Sequence, residues 1–203
     1  MRLPSPLSLA AGAIGVVACT HLTDFGLYHL RYTILNANSA GSWSHFVAAG
    51  ALAVGAAVCL AGARRWPRER TLWIASAAML ALFFLDETSG LHARIDVLSH
   101  GKLVYGPVLV VLTCCVWALT RRTPYVATVR MAAVLLAVSY VIHVLEPHDI
   151  AQALGWSTDG WAFQVVVALK EGTELAGVLL ALSALTGAAF ASQFHNNSAA
   201  RLG

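Results

Sequence analysis

Six long apolar stretches, separated by short polar connections, make up almost the whole chain. They run at about residues 7–33, 45–64, 71–95, 103–120, 126–147 and 161–191. A helix rises 1.5 Å per residue, so about 20 residues cross the roughly 30 Å of a bilayer's hydrocarbon. Strands lying open in lipid would leave backbone N–H and C=O groups unpaired, and the alternating pattern of a membrane β-barrel is absent. The pattern therefore predicts an all-α polytopic membrane bundle of six transmembrane helices, with residues 1–203 forming a single integral membrane domain.

Composition agrees with this reading. The 203 residues are 58% hydrophobic and 11% charged, where soluble domains carry roughly 25% charged residues. The net charge of +3 is clustered. Arg64, Arg65, Arg68 and Arg70 lie between the second and third segments, and Arg121, Arg122 and Arg130 lie around the connection from the fourth to the fifth. The connections 36–44 and 148–160 contain no Lys or Arg. The positive-inside rule then places both termini in the cytoplasm, as expected of a multi-pass protein of a bacterial inner (plasma) membrane. Trp43, Trp156 and Trp161 would form an outer aromatic belt, and Trp66 and Trp73 an inner one. No basic stripe interleaved with aromatics is present, so nucleic acid is not an expected partner. Cys19, Cys59, Cys114 and Cys115 all fall in apolar segments without a CxxC pair and read as packing residues. Val16-Val17-Ala18-Cys19 has the form of a lipoprotein cleavage box, but the apolar stretch continues to Tyr32 and reads as helix.

Ionisable side chains interrupt these segments, and each costs several kcal/mol in hydrocarbon unless paired, hydrated or metal-bound. His21 and Asp24 lie in the first segment, Asp86, Glu87 and His92 in the third, His143 and Glu146 in the fifth, and Lys170, Glu171 and Glu174 in the sixth. Counting helical rise places most of them in the outer half of the bilayer, roughly 20–30 Å along the outward-running segments. His45 could join from the outer rim of the second segment. His21 with Asp24, His143 with Glu146, and Glu171 with Glu174 are each spaced i,i+3 and share a helix face. Lys170 can reach Glu174 at i,i+4. Asp86 and Glu87 diverge by about 100° and should find different partners.

Phe84-Leu85-Asp86-Glu87-Thr88-Ser89-Gly90-Leu91-His92-Ala93-Arg94 resembles the "LDE…HE" helix of bacterial multi-pass membrane proteins without assigned activity. Leu169-Lys170-Glu171-Gly172-Thr173-Glu174-Leu175-Ala176-Gly177 is similar to their later "EE…LE…G" helix. The likeness covers about residues 80–185 and departs at Ala93 and Lys170, where that group carries acids. It implies a membrane bundle with its site on these helices, and it implies no reaction.

Three functional readings follow. The first is an intramembrane enzyme acting on a lipid or other apolar substrate. In it His21, His92, His143 and Glu146 ligate a divalent metal, zinc or iron, and Asp24, Asp86, Glu87, Glu171 and Glu174 supply acid–base chemistry. The second is an acid-catalysed terpene cyclase of the membrane, in which a buried carboxyl protonates the substrate. The third is a proton- or cation-conducting transporter or channel subunit. Membrane lipids are expected partners, and a homo-oligomer is left open. Against all three stands a buried polar network that only fixes helix register.

Overall fold

The computed structural model describes residues 5–39, 41–89 and 101–190, with side chains from Tyr105 onward in the last stretch. Seven α-helices occupy them: α1 (Pro6–Tyr28), α2 (Trp43–Arg65), α3 (Arg70–Ser89), α4 (Gly101–Thr120), α5 (Val126–Leu145), α6 (Pro147–Ala153) and α7 (Trp161–Phe190). A 3-10 turn, Pro67–Glu69, joins α2 to α3. No strand occurs among the described residues.

The helices start where short polar side chains can take up free backbone N–H groups. Ser5 accepts from the Ser8 N–H at 3.1 Å, with Pro6 opening α1. Ser42 accepts from the His45 N–H at 3.3 Å and so sets where α2 begins. At its far end α1 closes on two residues in the left-handed region, His29 (φ 53°) and Leu30 (φ 59°). That conformation costs a non-glycine residue roughly 1–2 kcal/mol. Hydrogen bonds fix it here: the Leu30 N–H donates to the Asp24 carbonyl and the His29 N–H to that of Phe25, both at 3.2 Å.

α7 is the hub. It packs against α1, α2, α4, α5 and α6, while α2 packs on α3, α3 on α4 and α4 on α5. Small residues let these helices approach closely. A Cβ placed on Gly177 would stand 2.6 Å from Leu136 Cγ on α5, and one on Gly172 would stand 3.2 Å from the Ile14 Cα on α1. Large apolar side chains that remain exposed, among them Leu27, Phe46, Val54, Val110 and Val134, give the bundle an outer surface suited to lipid.

Two sequence expectations change. Among the described residues four helices, not six, are long and apolar enough to cross a membrane: α1, α2, the Pro67–Ser89 stretch containing α3, and α5. α4 contributes the shorter apolar stretch Tyr105–Thr120. α7 has the length, but Lys170, Glu171 and Glu174 interrupt it and much of its surface is covered by other helices. The second change is Trp73. It is not part of an aromatic belt but sits 1% exposed in the core between α2, α3, α4 and α7.

Gly62 on α2 faces that indole, and a Cβ there would lie 2.6 Å from Trp73 Cδ2. Trp73 is too rigid and too enclosed to yield. Gly62→Val is therefore expected to destabilise the bundle by about 1–3 kcal/mol through overpacking. Thermal unfolding in detergent checks this, and an unchanged midpoint would show that the α2–α3 contact is not tight.

Candidate functional site

A cavity of about 350 Å³ opens among α2, α3, α4, α5 and α7. One part of its wall is apolar, built from Leu52, Leu80, Leu109, Leu112, Leu182 and Leu185 with Ala51, Gly55, Val178 and Ala181. The rest is polar and ionisable: Asp86 and Glu87 from α3, Lys170, Glu171 and Glu174 from α7, His143, Ser139 and Tyr140 from α5, Tyr105 from α4 and His45 from α2. The described lining thus carries four carboxylates against one lysine and two histidines.

Each carboxylate meets its own partner. Glu174 Oε2 accepts from the Ser139 hydroxyl at 3.2 Å. Glu171 Oε1 lies 2.8 Å from Lys170 Nζ, so Lys170 pairs with its chain neighbour. Asp86 Oδ1 accepts from the Tyr105 hydroxyl at 3.0 Å. The adjacent residues Asp86 and Glu87 do take different partners on different helices, as their 100° divergence requires. Both nevertheless line the same cavity.

The most informative contact is between His45 and Glu87. Nε2 of His45 lies 2.6 Å from the Glu87 backbone carbonyl, and Nδ1 lies 2.8 Å from Glu87 Oε1. A carbonyl only accepts, so Nε2 carries a hydrogen. Neutral imidazole then has no second hydrogen for Nδ1. The geometry lets Nδ1 and Oε1 hold one proton between them, as imidazolium with carboxylate or as imidazole with carboxylic acid. The charges of Asp86, Glu171, Glu174 and Lys170 all act on this pair through Glu87.

The structure thus brings together Asp86, Glu87, His143, Glu171 and Glu174 of the residues the sequence singles out. His45, which the sequence offers from the outer rim of the second segment, lines the cavity too, at the third position of α2 after the Ser42 cap. Three others stand apart. Glu146 falls beyond the end of α5, at φ 53° before Pro147, and does not line the cavity. The residue before a proline is pushed out of the helical region, so the expected i,i+3 face with His143 does not form. His21 and Asp24 are fully buried between α1, α7 and the connection to α2. The Ala37 N–H donates to His21 Nδ1 at 3.1 Å, and Nε2 donates to Gln164 Oε1 at 3.0 Å. Asp24 Oδ1 accepts from the Tyr32 N–H at 3.2 Å. His92 lies outside the described residues.

A metal held by His21, His92, His143 and Glu146 is not shown. Both ring nitrogens of His21 are engaged elsewhere and Glu146 is off the cavity. Among the described residues no three His, Cys, Asp or Glu side chains converge as a metal-ligand group.

Neither a curated protein nor a solved structure matches the chain. Residues 7–188 match the family described as Domain of unknown function DUF8692, and the chain belongs to that family.

Proposed function

We propose that the cavity is the active site of an intramembrane acid–base enzyme acting on an unsaturated apolar substrate. The observation that carries this reading is the two-point contact of the His45 ring with the Glu87 carboxyl and backbone carbonyl, set against a cavity with an apolar wall. The pair gives its proton to a carbon–carbon double bond. The positive charge left on carbon is stabilised by Asp86, Glu171 and Glu174, which replace the water that would otherwise solvate it. Loss of a proton from the rearranged cation back to the pair forms the product and restores the starting state. α4 and α7 cross the bilayer with the four apolar helices in this reading, and the Arg-rich connections face the cytoplasm of a bacterium.

Incubation of the purified protein with a membrane-lipid extract in D₂O tests the reaction. Deuterium is expected in a carbon-bound position of an apolar product, detected by mass spectrometry. A complete extract that gains none would sink the proposal. A second reading, a proton or cation conduit, is favoured by the excess of carboxylates over lysine in the cavity lining. It requires pH-dependent flux in sealed liposomes that Glu171→Gln abolishes, and no flux would remove it.

A further inference from the structure

Every described lining residue of the cavity sits on a long helix except Ala37, Asn38 and Ser39. These three belong to the connection between α1 and α2. Moving any other part of the wall means shifting a whole helix. Moving this part costs only the bonds that fasten the connection to the bundle.

Ser42 and Ile34 tie the connection to the start of α2, and among the described residues the side-chain bonds that tie it and the first residue of α2 back to α1 fall on one stripe of that helix. The Ala37 N–H donates to His21 Nδ1, the Tyr32 N–H to Asp24 Oδ1, and Trp43 Nε1 to Thr20 Oγ1 at 3.1 Å. The connection is also bent through the left-handed residues His29 and Leu30. Ala37 itself is buried against Val17, Ala48 and Leu175. His21 is the central fastening. Its Nδ1 can accept from Ala37 only in the neutral form with hydrogen on Nε2, and Nε2 is held in that role by Gln164 Oε1. Gln164 on α7 therefore sets the tautomer that α1 uses to hold the cavity wall.

We propose that residues 37–39 form an access strap over the cavity and that His21 is its positioning residue, acting through the Ala37 N–H. This accounts for the polar stripe of α1, which does not itself reach the cavity. It requires the cavity and not the chemistry proposed for it.

The test reads access directly. Ala51, which lines the cavity, is replaced by cysteine in a background lacking Cys19, Cys59, Cys114 and Cys115. Its labelling by a water-soluble thiol reagent is timed in nanodiscs. His21→Leu is expected to raise the labelling rate about tenfold, the effect of one buried hydrogen bond lost. His21→Asn should stay near the parent rate, because its amide oxygen takes the place of Nδ1. Trp43→Phe, which keeps an aromatic ring but loses the bond to Thr20, should also raise the rate. A parent rate for Trp43→Phe, or an equal rise for His21→Asn and His21→Leu, would overturn the proposal.

Discussion

Glu87→Gln is expected to slow deuterium transfer by about 10²–10⁴-fold, the usual contribution of a general acid–base group, with little change in the unfolding midpoint. The variant is nearly isosteric, and its amide can turn its NH₂ toward His45. The neutral imidazole then accepts at Nδ1 and still donates from Nε2 to the backbone carbonyl of residue 87, so both contacts of the present pair survive. What is lost is the proton between them, because an amide neither holds nor releases it at ordinary pH. His45→Gln removes the same proton from the other side. If the two groups act as one unit, the double variant should be about as slow as either single one. Losses that multiply would show that Glu87 and His45 work separately. Asp86→Asn should cost less, since Asp86 accepts from Tyr105 and acts on the pair only through its charge.

Lys170→Met is expected to be the most destabilising substitution in the cavity, at about 3 kcal/mol. Lys170 and Glu171 are 13% and 17% exposed and 2.8 Å apart. Breaking a buried pair from one side costs about 3–5 kcal/mol, because the charge left behind has lost both water and partner. The low end applies here because the cavity can admit water to the remaining carboxylate. Glu87 and Glu174 also act on Lys170, so its loss leaves the carboxylates repelling one another. Adding Glu171→Gln to Lys170→Met should recover most of the stability, since an amide needs no counter-charge. Denaturant unfolding of the two singles and the double gives the coupling energy. A double variant no more stable than Lys170→Met would mean that the pair contributes nothing.

Much of the fold can be read from the sequence because lipid permits few alternatives. Long apolar runs gave helix starts and ends mostly within a few residues, and the intramembrane acids pointed to α3 and α7. The errors have physical causes. The i,i+3 spacing puts Glu146 on a helix face with His143, but Pro147 follows it and the helix ends one residue earlier. The polar 148–160 connection predicts a loop, yet the same proline opens the short helix α6 there. The sequence offers the polar stripe of α1 for chemistry. Near a helix end, side chains can equally well satisfy the backbone of the segment that follows, and His21 and Asp24 do so. The sequence offers His45 only from the rim, because it stands at the start of a helix. Its pairing with Glu87 depends on the α2–α3 approach, which no local pattern encodes.

The central place of α7 also bears on how the bundle is made. α1, α2, α4 and α5 all rest on it, and all four are synthesised before it. Until α7 leaves the ribosome, α1 and α5 wait without the helix they pack against most, and Glu87 waits without the cation of Lys170. Assembly is therefore gated by the arrival of one late segment. A ribosome stalled ahead of residue 161 should hold a chain that is inserted but still loosely packed and open to proteases.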